Sequence, residues 1–343
     1  MRPLSAIVLA AGKGTRMKSR QAKVTFPIAE KPMIQRVVDT AIKLDCKEVC
    51  VVVGYQKESV IAVLEAKECI SFVEQTEQNG TGHAVMITEP FFTGKDTDIL
   101  ILCGDVPLLT TDTLTQLYQA HRSSGNACTV LTAFLEDAGK YGRILRDWDQ
   151  NVCGIIEYKD ANESQRQIKE FNTGIYCFHA EALFTALKQI SNNNQQGEYY
   201  LTDTLQILYN GGKGVGSVVL ENLMEVSGVN SQEQLAELED EFLRTIRLKW
   251  LNNGVMMHNP ASIYIGDDVL IEADVEIGMN TIIKGNSMLR TGVRIGPNCY
   301  IEDSEIDAET ILKGFNIIVN SYVHEHQVIP FRETIEEDRY ELQ

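Results

Sequence analysis

From residue 265 onward an aliphatic side chain returns at every sixth position: Ile265, Ile271, Ile277, Ile283, Leu289, Ile295 and Ile301. An α-helix repeats every 3.6 residues and a flat strand every two, so neither asks for this spacing. A parallel β-helix does, because six residues make one flat face and the inward aliphatic stacks on its counterpart in the next coil. Val269, Val275 and Val293, two residues before some of these positions, belong to the same pattern. After Ile301 the phase slips by one, to Ile306, Leu312 and Ile318, and the repeat then dissolves. The spacing predicts a short column over 255–322, about three coils of roughly eighteen residues. An acidic tail over 323–343 follows, with Glu333, Glu336, Glu337, Asp338 and Glu341. His324 and His326 alternate in it, as in an exposed strand rather than a metal site.

Residues 1–230 follow a different rule. Short apolar runs alternate with helical patterns, the order of an α/β fold on a mixed, mostly parallel sheet. Ala6 to Ala10, Val49 to Val53 and Asp98 to Cys103 read as buried strands, and Met33 to Leu44 carries the apolar stripe of a helix. Ser231-Gln232-Glu233-Gln234 has the form of a capping box, and Leu235, Leu238, Phe242 and Ile246 then recur at helical spacing until Asn252-Asn253-Gly254. Residues 231–254 are thus a connector helix between an α/β domain and a β-helix.

The chain has 48 acidic and 31 basic residues, a net charge of −17, which repels nucleic acid and anionic lipid. Nucleic acid and membrane are therefore excluded as expected partners. No apolar run has the length of a bilayer span and none reads as a signal peptide. The eight cysteines stand singly, without zinc-finger spacing, which fits buried thiols in a reducing cytoplasm.

Against this acidic background one segment is inverted. Between Ala11 and Ala29 lie Lys13, Arg16, Lys18, Arg20 and Lys23 and no acid, directly after the first strand and around Gly12 and Gly14. The loop lacks the order of a P-loop and the third glycine of a dinucleotide fingerprint. A glycine turn at a strand's carboxyl end, rich in cations, suits a triphosphate: backbone N–H groups can approach the oxygens while Arg16 and Lys23 neutralise them.

Several further motifs accompany this loop: Glu74-Gln75 through Asn79-Gly80-Thr81-Gly82-His83-Ala84, Gly104-Asp105-Val106-Pro107-Leu108, Gly139 to Ile144, Glu157 to Ala161, Asn172-Thr173-Gly174, Asn192 to Asp203, and Gly228-Val229-Asn230. Together they resemble the bacterial N-acetylglucosamine-1-phosphate uridylyltransferases, across the whole of 1–230. The resemblance implies a Rossmann-like nucleotidyltransferase domain followed by a short left-handed β-helix. It implies that Ala11, Gly12, Gly14, Gln75, Gly80 and Thr81 hold the uridine nucleotide, with Gln75 reading the uracil edge. It assigns the sugar to Gly142, Glu157, Asn172 and Thr202, and Mg²⁺ to Asp105 and Asn230. Taken alone, Glu157 and Asn172 would read as surface or turn residues, and Asn230 as helix-entry chemistry.

The implied reaction joins UTP and N-acetylglucosamine 1-phosphate into UDP-N-acetylglucosamine and pyrophosphate. The sugar phosphate, with a second pKa of about 6, needs no general base. Catalysis then rests on in-line placement and charge neutralisation by Arg16, Lys23 and Asp105-bound Mg²⁺. His83 and Cys103 read as packing or loop residues rather than nucleophiles. Three departures stand out. Ala22 replaces the usual proline before the lysine, which could loosen its approach. Cys103 stands where a tyrosine is frequent, which could alter the pocket floor. The column is short, so acetyl transfer is expected to be missing. The column resembles a trimerisation element, since such short columns often associate side by side, so a homo-oligomer is expected, with a trimer through the β-helix or a monomer capped by the tail after Tyr322 as alternatives. Two functional alternatives stay open: a pyrophosphorylase for another sugar phosphate or nucleotide, and a non-catalytic nucleotide-sugar sensor or assembly subunit.

Overall fold

The computed structural model describes residues 2–64 and 69–336 and divides into two compact units, 1–234 and 235–343. In the first, the main sheet contains Leu4–Leu9 (β1), Val49–Val53 (β2), Ile70–Glu74 (β3), Asp98–Cys103 (β4), Cys128–Phe134 (β5), Arg143–Arg146 (β6), Val152–Ile156 (β7), Glu170–His179 (β8) and Val215–Val219 (β9). Their order is β9-β5-β8-β4-β1-β2-β3, with the antiparallel hairpin β6-β7 joined to β8. Pairing is parallel except at β8 and within that hairpin. This is the mixed, mostly parallel sheet that the alternation of patterns predicts.

Side chains alternate across a strand, so each buried strand feeds two cores. Ala6, Val8, Val49, Val51, Leu100 and Leu102 face one layer, packed with Ile34, Val37 and Val38 of the helix Met33–Lys43 and Leu114 and Leu117 of Thr111–Ser124. Ile7, Cys50, Val52, Ile99 and Ile101 face the other, with Val85, Leu183, Phe184 and Leu205 from helices Thr81–Met86, Ala180–Leu187 and Asp203–Asn210. A continuous apolar run is what a strand covered on both faces requires. β1, β2, β3 and β4 all point their carboxyl ends toward one edge, and the chain turns there are the ones that carry the motifs.

The helix Gln232–Asn252 starts where the capping pattern places it. Gln234 N donates to Ser231 Oγ at 3.2 Å, but the Gln234 side chain accepts from Asn230 N at 2.8 Å rather than from Ser231 N, one residue away from the usual reciprocal bond. The second unit contains a left-handed parallel β-helix. Among the described residues, two faces carry five rungs and the third carries four, more than the three coils the spacing predicts. Val328–Ile329 and Thr334–Glu336 pair in parallel with the coil before them, so the column continues through residues 323–336, where the sequence reading begins a tail. The late coils were hidden because one residue is missing per turn: Leu289 pairs with Ile306 and Ile306 with Val323, seventeen residues apart rather than eighteen. The shortened turn leaves the inward stack intact, and Ile283, Ile301, Ile318, Leu312 and Val323 are all buried. Glu337, Asp338 and Glu341 lie outside the described residues. His324 and His326 are exposed, His326 at a turn with φ 60°. Among the described residues no helix is long and apolar enough to cross a membrane.

Candidate active site

The glycine loop leaves β1 and turns back at Gly14, whose φ of 56° begins a short 3-10 turn, Thr15–Met17. A Cβ at Gly14 would stand 2.7 Å from Lys23 Cβ, so the lysine stem lies directly against the glycine. Ala22 has φ −60° and ψ 133°, the conformation a proline imposes, and its carbonyl accepts from Thr25 N and Thr25 Oγ1 at 3.0 and 2.9 Å. The approach to Lys23 is therefore held by hydrogen bonds where the ring is lacking, and it is not loosened.

β4 ends at Cys103, and Gly104 N donates to Leu9 O, binding the Asp105 turn to the start of the glycine loop. Asp105 O accepts from Val229 N at 3.0 Å, which brings Asn230 beside it across 125 positions of sequence. Lys23 Nζ donates to Asp105 Oδ2 and, at 3.2 Å, to Asn230 Oδ1, which also accepts from Arg16 at 2.8 Å. The two proposed cations and the two proposed metal ligands are thus one cluster. Carboxylate and amide oxygens converging on a single positive charge are a donor set suited to a hard divalent cation that takes its other ligands from phosphate and water. Among the described residues there is no group of three or more His, Cys, Asp or Glu poised for a metal.

Beside the cluster opens a cavity of about 380 Å³ lined by Ala11, Gly12, Lys23, Gln75, Gly80, Thr81 and Asp105, together with Gln78, Cys103 and Glu198. Gly80, with φ 102°, has no room for a side chain: a Cβ would meet Tyr199 O at 2.6 Å. Gln75 Nε2 donates to Gly80 O at 3.1 Å and also lies 3.1 Å from His83 Nδ1. Gln78, unremarked in the sequence, donates to Ala11 O at 2.7 Å and fixes the loop's first residue. Its only signal was its place inside the Gln-to-Gly segment.

Gly142, Glu157, Asn172 and Thr202 form a second group. Asn172 N donates to Gly142 O at 2.9 Å, Thr202 Oγ1 donates to Glu157 Oε1 at 3.1 Å, and a Cβ at Gly142 would stand 3.5 Å from Glu157 Oε2. Burial raises the Glu157 carboxyl above the usual range; the Thr202 bond opposes this and the charges of Asp203, Asp160 and Glu198 add to it. Cys103 lines the cavity, and its thiol contacts Gly174 O at 3.5 Å. Burial first, then Asp105, pushes that thiol up to about 12, so it is no nucleophile at neutral pH. All eight cysteines are free thiols.

A glycine loop, a cationic cluster and oxygen donors thus meet at the carboxyl edge of a two-sided sheet, an arrangement suited to a phosphate-bearing ligand. The nucleotidyl transferase family model matches residues 5–256. "Bifunctional protein GlmU" of Exiguobacterium sibiricum is 42% identical, over 95% of this chain and 72% of its own. The protein of the same name from Bacillus velezensis is 42% identical over 90% and 67%, and that of Caldanaerobacter subterraneus 43% identical over 93% and 68%. A UDP-glucose pyrophosphorylase solved with UDP-glucose shares the fold at 22% identity, with a TM-score of 0.56 over 71% of this chain and all of that one. The chain belongs to the nucleotidyl transferases and, within them, to the GlmU family. It is a sugar-1-phosphate uridylyltransferase, an enzyme of the UDP-N-acetylglucosamine pyrophosphorylase kind.

Proposed function

We propose that the protein transfers uridylyl from UTP to N-acetylglucosamine 1-phosphate in the cytoplasm. A sugar-phosphate oxygen attacks the α-phosphorus, the new P–O bond forms as the bond to the β-phosphate breaks, and pyrophosphate leaves. The single observation that carries the reading is the cluster of Lys23, Arg16, Asp105 and Asn230 at the mouth of the nucleotide cavity. Arg16 and Lys23 hold the triphosphate once phosphate oxygens replace their present partners. Ala11, Gly12 and Gly14 admit the phosphates closely, and Gln75, Gly80 and Thr81 receive the base and ribose. Gly142, Glu157, Asn172 and Thr202 bind the sugar, whose hydroxyls and acetamido group match a carboxylate and an amide. Asp105 and Asn230 would hold Mg²⁺, which would supply positive charge to neutralise the phosphates as they react.

The partners of the reaction are thus UTP and the sugar phosphate. Support for self-association comes from an apolar surface on the β-helix, where Ile282, Tyr300 and Ile317 form an outward row bordered by exposed Met279, Phe315 and Phe331. Acetyl transfer is not part of the proposed activity of these 343 residues; acetylation of glucosamine 1-phosphate by acetyl-CoA would reject that. The main test is pyrophosphate release from UTP, N-acetylglucosamine 1-phosphate and Mg²⁺. Release should fall at least about a hundredfold in Asp105→Ala, and equal release in both proteins would reject the reading. Cys103 favours one second reading, a different sugar: its thiol leaves more room than the family's frequent tyrosine, and faster turnover of glucose 1-phosphate would establish it.

A further inference from the structure

Gln75 lies just past the end of β3, only 6% exposed, with its side chain at the cavity wall. A carbonyl oxygen accepts and cannot donate, so the amide atom facing Gly80 O is the NH₂ group. The same NH₂ group faces His83 Nδ1. That nitrogen must therefore be the acceptor, and the ring proton of His83 sits on Nε2. Both amide hydrogens of Gln75 are then consumed inside the protein. What remains for a ligand is Oε1, which accepts and has no hydrogen to offer.

Uracil carries a hydrogen on N3, whereas the N3 of cytosine is a bare acceptor. An amide held in this orientation accepts from the first and repels the second. We infer that His83 is a positioning residue that locks the polarity of the Gln75 amide and so sets the preference of the site for uracil over cytosine nucleotides. The inference rests on the assignment of Gln75 to base recognition and names what makes that recognition selective. Gly80 O is the other half of the lock, so loss of His83 weakens the orientation by one hydrogen bond.

The experiment compares kcat/KM for UTP and for CTP in the wild type, Gln75→Ala, His83→Phe and His83→Asn. In His83→Phe, which keeps a ring but no acceptor, the UTP/CTP ratio should fall about fivefold, through KM for UTP. The KM for the sugar phosphate should be unchanged, and His83→Asn, whose Oδ1 can accept, should recover much of the ratio. A ratio that collapses in Gln75→Ala but is unchanged in His83→Phe overturns the role of His83 alone. A ratio unchanged in Gln75→Ala overturns the base reading of Gln75, and the inference with it. Equal losses toward every substrate in His83→Phe also overturn it. Nitrogen-15 NMR of the wild type supplies a measurement independent of any variant's folding: His83 should be the Nε2–H tautomer, and an Nδ1–H tautomer refutes the lock.

Discussion

Lys23 donates to the two groups proposed to bind metal, and this arrangement sets what the ligand-free enzyme does with a divalent ion. An ammonium already sits against Asp105 and Asn230, so a cation arriving alone meets repulsion and occupied oxygens. Mn²⁺, followed by electron paramagnetic resonance, is expected to bind the free protein weakly and at least tenfold more tightly with UTP present, whose phosphates draw Lys23 away. Lys23→Ala should tighten binding of the metal alone; unchanged affinity would count against the arrangement. Glu157 yields a pH prediction. Its folded-state pKa is raised, so the unfolded chain loses this proton first, and stability falls as pH rises from the unfolded value through the folded one. Glu157→Gln removes that penalty. Its melting temperature should exceed the wild type's at pH 7 and approach it near pH 4, while KM for the sugar phosphate rises. At this scale the glycines, the cations and the carboxylate after strands are legible in the sequence, because each is a local signal. The pairing of Asp105 with Asn230 was legible only by resemblance, since the hydrogen bond from Val229 N to Asp105 O joins segments distant in the chain.

At the scale of elements, strand and helix positions follow from periodicity. Val49–Val53 and Asp98–Cys103 fall where the apolar runs stand, because burial on both faces leaves no other pattern. The late coils of the β-helix did not follow, since their seventeen-residue step breaks a six-residue count while the inward stack persists. Small polar residues maintain the corner there: Ser304 N donates to Ser287 Oγ and Ser321 N to Ser304 Oγ, a ladder of buried serines that continues across the slip. Ile301, fully buried within the stack, is expected to cost 2–5 kcal/mol when replaced by alanine, or about that loss in chemical denaturation of the β-helix. Ile282→Ala on the outward row of the same face should cost less than about 1 kcal/mol in the monomer. The glycine loop is the second case. Ala22→Pro should be tolerated in activity and raise stability by about 0.4–1 kcal/mol, because the backbone already has the angles of proline.

At the scale of the whole molecule, two compact units with separate cores predict two cooperative transitions in calorimetry. Ile301→Ala should lower only the one belonging to the β-helix. If the outward apolar row joins copies of the chain, Ile317→Glu should shift sedimentation toward the monomer and leave uridylyl transfer largely intact; a monomeric wild type would remove the proposal. The sequence by itself determined the two architectures and the cationic, glycine-rich character of the loop after the first strand. Periods of two, 3.6 and six are imposed by burial, and a cluster of cations in an acidic chain needs an anion. Only the tertiary structure decided which distant residues share a charge, how far the coils run, and which way the amide of Gln75 faces. Those depend on hydrogen bonds between segments far apart in the chain, and no local spacing encodes them.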